Sequence, residues 1–204
     1  MGRQDLRKKR KLLFGLLYAF LIFWASSVYA NEMAELKGPF QRGATEWGLS
    51  IGFADNFHIG KDVRENIQFY FLSPSWGKVL KEWKRSISLE FLMEGFLAYS
   101  RQDSKDRYAV GLTPLFLYNF QPIAKTVLSF ELGAGILYTN LDPYRFGSHF
   151  NFTPQGGVGL RYEFARETFL KISYRFRHIS NAGLSEDNRG INSHLVSLVL
   201  SLFR

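Results

Sequence analysis

Residues 177–184 read Arg177-His178-Ile179-Ser180-Asn181-Ala182-Gly183-Leu184, so a histidine and a serine stand two apart. On an extended chain that spacing turns both side chains to one face, roughly 7 Å apart along it. The same parity upstream carries Leu170, Ile172, Tyr174 and Phe176, an apolar face on which a His and a Ser have no packing role. Hydrolysis of an ester needs such a pair: imidazole takes the hydroxyl proton while the oxygen attacks a carbonyl. Beyond Leu184 the chain turns back, and Asn192 falls on the apolar parity of the next run with Val196 and Leu198. Antiparallel neighbours would bring Asn192 beside His178. The competing reading is an interfacial His and Ser bonded to headgroups or loop carbonyls, and spacing alone does not separate the two.

The elements that carry these residues are strands. Period-2 alternation recurs along the chain: Trp47, Leu49, Ile51 and Phe53; Ile87, Leu89, Phe91 and Met93; Leu128, Phe130, Leu132, Ala134, Ile136 and Tyr138. It continues through Val158, Leu160, Tyr162 and Phe164, then Leu170 to Phe176, then Val196, Leu198, Leu200 and Leu202. Two less regular runs, near 65–73 and 107–119, bring the expected count to eight. The stretch 73–84 is left as a connection, long for a turn.

Face chemistry decides between architectures. A sandwich hides its apolar face and wets its polar one; a membrane barrel presents the apolar face to lipid and turns small and charged residues inward. Here one face is continuously large and apolar, while the other mixes glycine with Glu46, Glu90, Glu94, Glu131, Glu163, Arg161, Lys171, Arg175 and Arg177. We expect an all-β fold, an eight-stranded antiparallel transmembrane β-barrel, too narrow to conduct. Trp47, Trp76 and Trp83 would mark one interface; Tyr99, Tyr108, Tyr144, Phe146 and Phe150 the other. An even strand number puts both termini on the periplasmic side, turns near 120–125 and 164–167 beside them, and the connections 54–65, 100–107, 140–149 and 180–190 outside.

Residues 1–30 read as an address. Lys8 to Lys11 form a basic stretch, Leu12 to Ala25 an apolar run, and Ser26 to Ala30 a small-residue cleavage site, the order of a secretory signal peptide. An uncleaved membrane anchor is the alternative. The expected division is a signal peptide over 1–30 and an outer-membrane barrel domain over 31–204. This segment also explains the charge: of 26 basic and 18 acidic residues it holds six and one, so the rest carries only +3. A nucleic-acid partner is not expected. With no cysteine in the chain, disulfides, thiol nucleophiles and Cys-ligated metals are excluded.

The segment His178-Ile179-Ser180-Asn181-Ala182-Gly183, followed by Asn188-Arg189-Gly190-Ile191-Asn192, resembles the C-terminal motif of the PagL-type lipid A 3-O-deacylases, outer-membrane acyloxyacyl hydrolases. The resemblance is specific over about fifteen residues and elsewhere rests on length and barrel pattern. It implies an eight-stranded barrel with its active site on the lipid-facing surface, and removal of the ester-linked acyl chain at position 3 of lipid A, the lipopolysaccharide anchor. It implies His178 as general base and Ser180 as nucleophile, with oxyanion donors around Asn181 and Gly183. One departure stands out: the family pattern has Glu fourteen residues after the His, where this chain has Asn192. An amide can orient imidazole by accepting from its ring N–H, but adds no negative charge. Glu186 or Asp187 in the adjoining loop are candidate substitutes.

His58 and His149 fall in expected outer loops, and His194 on the lipid face beside Asn192. Arg101, Lys105, Arg107, Arg145 and Arg189 are loop charges that could meet lipid phosphates, although solvated loop charge is the commoner role. With no metal-ligand spacing or phosphate loop, no cofactor is expected. The competing functions are a catalytically silent barrel with a structural or adhesive role and, less consistent with outward apolar faces, a soluble lipocalin-like binder. N-terminal sequencing of the protein recovered from membranes should begin at Asn31; a chain that keeps residues 12–25 would be anchored instead.

Overall fold

The structure, a computed structural model, describes residues 39–57, 67–83, 87–102, 105–123, 125–141, 148–185 and 190–204. The strands are β1 (Thr45–Phe57), β2 (Gln68–Trp83), β3 (Ile87–Gln102), β4 (Lys105–Ile123), β5 (Thr126–Thr139), β6 (Phe150–Ala165), β7 (Thr168–Ile179) and β8 (Ile191–Phe203). Each pairs antiparallel with its sequence neighbours, and β8 returns to β1, closing the barrel. Closure satisfies every ladder, which hydrocarbon demands of a sheet.

Alternation is visible directly in burial. Leu132, Ile172, Leu160 and Leu198 project outward, while Glu90, Glu131, Arg161 and Arg175 are buried within. The start of β1, the end of β8 and the tight β4–β5 and β6–β7 reversals lie at one end, the periplasmic end, with positive φ at Lys125 and Glu167. The β1–β2, β3–β4, β5–β6 and β7–β8 connections join strands at the other, outer end. Outward aromatics gather toward each end: Trp47 pairs with Trp76 near the first, and Tyr70, Tyr99 and Tyr108 follow one another across β2, β3 and β4 near the second. Tyr144 and Phe146 lie outside the described residues.

The lumen is filled in layers. Phe40, from the segment before β1, caps the periplasmic end against Phe169 and Phe203, ring centroids 5.5 and 4.7 Å away. Above it Arg161 lies 3.1 Å from Glu46 and 3.2 Å from Glu90. Next, Lys171 and Ser173 donate to Glu131 at 2.8 and 2.9 Å, and Arg175 to Glu94 at 2.8 Å. Arg177 sits over the Phe96 ring, 4.5 Å from its centroid. An apolar cluster that includes Phe69, Phe71, Leu137, Ile179, Ile191 and Leu195 closes the outer end. Pairing offsets the cost of burying the charges of Arg161, Lys171 and Arg175, while Arg177 has the faces of aromatic rings beside it. Glu163, expected in this network, is half-buried at the periplasmic turn and accepts from the Glu167 amide at 3.0 Å.

The structure corrects two expected connections. The stretch 73–83 is strand, the second half of β2, not a connection. Pro74 and Lys78 break its outward apolar face, and Ser73, Ser75 and Gly77 leave its inward face without bulk, so parity persists while hydrophobic contrast fades. Pro74 lacks an N–H, and the β2–β3 pairing skips Ser73 and Pro74 and resumes at Ser75 in the same register, which shifts between Val79 and Lys81. Similarly, the expected 100–107 loop is mostly strand, because β3 runs to Gln102 and β4 starts at Lys105.

Leu132, 70% exposed on β5, tests which face meets lipid. Leu132→Arg should lower unfolding free energy in vesicles by about 2–4 kcal/mol. Gly133→Arg acts differently, since any side chain there runs into the Pro114 carbonyl, and should block the heat-modifiable folded form. Wild-type stability for Leu132→Arg would contradict a lipid-facing β5 surface.

Candidate active site

The outer ends of β7 and β8 build the site. In their ladder His178 lies directly opposite Asn192, and on the other side of β8 Asn192 faces Phe57 of β1. The row His178–Asn192–Phe57 is on the outward parity, at the outer end of the lipid-facing surface. Nδ1 of His178 is 2.7 Å from Oδ1 of Asn192. A carbonyl oxygen only accepts, so Nδ1 carries the proton and donates it. In neutral imidazole that leaves the lone pair on Nε2, the arrangement a general base needs. Asn192 is itself 6% exposed, which shields this hydrogen bond from competing water.

Ser180 lies one residue beyond β7, on the face of His178, and both are half-buried. Its backbone is held from the other side: Ser180 N–H donates to the Phe152 carbonyl at 3.1 Å, and Phe152 N–H donates to the Ser180 carbonyl at 2.7 Å. Thus β6 keeps the chain extended just past the last β7–β8 pair. The Ser180 hydroxyl is not hydrogen-bonded to His178 in this structure; such bonds in unliganded sites commonly tighten only around substrate.

The chain then reverses sharply. Leu184 N–H donates to the Asn181 carbonyl at 3.1 Å, and Ala182 and Gly183 have φ of 53° and 83°, a turn with both central residues left-handed. Gly183 takes that conformation without penalty; Ala182 does so at a cost of about 1–2 kcal/mol. The Asn181 side chain pins the turn, its Oδ1 accepting from Gly183 N–H at 2.8 Å. Of the two residues expected to supply oxyanion donors, Gly183 therefore has its amide engaged within the turn. Asn181 is fully buried beneath the turn.

The neighbouring row holds a group that pattern reading placed but did not explain. The His194 ring stacks on Phe57, centroids 4.2 Å apart, and its Nδ1 lies 2.6 Å from the Tyr174 hydroxyl. An imidazole facing lipid thus shares its polar edge with a phenol and its face with a ring. Beyond it an open apolar groove of about 730 Å³ runs along β1 and β8, lined by Ile51, Phe53, Tyr70, Ile172, Val196 and Leu198.

Other expected residues are structural or exposed. His149 Nδ1 lies 2.8 Å from the Thr139 carbonyl, and Arg107 donates to the Asn140 carbonyl at 2.7 Å. Arg101 and Lys105 are exposed. His58, Arg145, Glu186, Asp187 and Arg189 lie outside the described residues. Among the described residues no group of three or more His, Asp or Glu could hold a metal.

Comparison with known proteins bears on the family and the fold. The family model of the lipid A 3-O-deacylases (PagL) matches residues 65–201. The crystal structure of the outer-membrane enzyme PagL superposes with a TM-score of 0.58 at 22% identity, covering 77% of this chain and 98% of that one. Neisserial surface protein A superposes with a TM-score of 0.59 at 13% identity, covering 79% and 99%. At these identities the structures speak for the fold, that of bacterial outer-membrane barrels. No curated protein sequence matches the chain. The family model covers β2 to β7, nearly all of β8 and the His178–Asn192 segment, and the chain belongs to the lipid A 3-O-deacylase (PagL) family.

Proposed function

We propose that the protein is a serine esterase of the bacterial outer membrane that removes the ester-linked 3-hydroxyacyl chain at position 3 of lipid A. The observation that carries this reading is the His178–Asn192 hydrogen bond, built on the lipid-facing surface at the outer end. At that height the ester of an outer-leaflet lipid lies where headgroup meets acyl chain. Ser180 reaches it without lifting the lipid from the bilayer, and the apolar groove along β1 and β8 offers the acyl chain a bed.

The steps follow from the atoms. Nε2 of His178 takes the Ser180 proton as Oγ attacks the ester carbonyl. Negative charge moves onto the carbonyl oxygen, for which the turn around Asn181 and Gly183 is the candidate source of donors. Collapse breaks the bond to the sugar oxygen, which leaves with the proton from His178. Water, deprotonated by the same nitrogen, then frees the 3-hydroxy fatty acid and restores Ser180. Asn192 orients the ring throughout. As an amide it holds the imidazole without adding charge, so it stabilises the imidazolium less than the carboxylate of the family pattern.

That difference also favours the second reading, a family member that keeps the barrel and has lost the reaction. The experiment that separates them is deacylation of lipid A by purified variants. Ser180→Ala and His178→Ala should fold as heat-modifiable barrels and lose activity by several orders of magnitude each, without additivity, because the two act as a unit. Asn192→Ala should lose less than either, and Asn192→Glu should hold or raise the rate. An active wild type whose rate survives Ser180→Ala contradicts the mechanism. An inactive wild type beside an active Asn192→Glu variant points to the silent barrel.

A further inference from the structure

Gly190 precedes β8 and is buried. A Cβ built on it would run into Cε1 of His178 and stand 3.0 Å from Nε2 and 3.4 Å from Nδ1. Its backbone does not require glycine: the described glycines with positive φ are Gly43 and Gly183. Gly183 is the converse case, with φ of 83° and nothing within 4 Å of the missing Cβ. Glycine at 183 serves the backbone; at 190 the space its side chain would fill is taken by the imidazole.

We propose that Gly190 is a positioning residue for His178, its bare Cα forming the wall on which the ring rests. This rests on the reading of His178 as general base. Cε1 lies between the two ring nitrogens, so a group pressing there moves both at once. Nδ1 leaves Asn192, and Nε2 leaves the place where the Ser180 proton must be received. The ring is the free end of a half-buried side chain at the lipid-facing rim, so it yields without disturbing the lumen or the ladders. A substitution at Gly190 therefore spares the barrel and disables the base. Misplacements of about 1 Å cost on the order of 10²-fold in rate.

The test uses the mature chain refolded in detergent, as wild type, Gly190→Ala, Gly190→Val, His178→Ala and Ser180→Ala. Heat-modifiable migration should be unchanged in all. The His178 Nδ1–H proton, identified by its absence from His178→Ala in proton–nitrogen NMR spectra, should shift or vanish in Gly190→Ala while the His194 signals stay. On lipid A micelles kcat should fall at least about tenfold for Gly190→Ala and further for Gly190→Val, with KM little changed. An unshifted Nδ1–H signal with wild-type kcat overturns the proposal. So does a Gly190→Ala protein that cannot reach the folded form, because displacing a free ring should not cost the barrel. If wild type itself does not deacylate, the esterase reading fails separately. The Nδ1–H signal then decides the positioning role alone, its loss upholding the wall and its persistence refuting it.

Discussion

In hydrocarbon no water is available to a backbone N–H or C=O, so a sheet survives there only when its last strand pairs with its first. The seam shows how completely this is met. Thr45 N–H donates to the Arg204 carbonyl and Arg204 N–H returns to the Thr45 carbonyl, both at 2.8 Å, and the β1–β8 ladder continues to Phe57 opposite Asn192. Closure at eight strands leaves a lumen only wide enough for side chains. Ion pairs around Arg161, Glu131 and Arg175, with aromatic and aliphatic layers at both ends, fill it. With the inside occupied, the outer surface is what remains for chemistry, and the lipid-facing parity of β7 and β8 carries the proposed site.

The same pleat that sends Arg175 and Arg177 inward sends Tyr174, Phe176 and His178 outward. A one-residue slip of β7 would exchange the two sets, burying His178 and putting guanidinium groups into lipid. The lumen ion pairs of Lys171 and Arg175 thus lock the register that presents His178 to its partner. Asn192 is set by the corresponding register of β8, where Ser193, Leu195, Ser197 and Val199 are buried and His194, Val196 and Leu198 project outward. Packing in the lumen and geometry outside it are one constraint.

Much of this was legible in the sequence because parity is a strong signal when one face is uniformly apolar. The strands around Leu132, Leu160, Ile172 and Leu198, the inward acids and bases, and the facing of His178 and Asn192 all follow from counting by two. β2 was less legible: Pro74 and Lys78 interrupt the outward face, and small inward residues remove the contrast that counting needs. The Phe40 cap was hidden because a lone aromatic before β1 has no period. The turn pinned by Asn181 has a local signal, an Asn followed by Gly two residues on, that marks a reversal and says nothing about where its donors point. The close approach of Gly190 and His178 joins residues twelve apart through space, and a short motif does not display it.

The most direct measurement is mass spectrometry of lipid A from cells that make the protein and from cells that do not. The account predicts that expression removes one 3-hydroxyacyl group, from position 3, with every other ester and amide chain retained. Unchanged lipid A in cells whose outer membrane holds the folded barrel, or loss of a chain from another position, would contradict it.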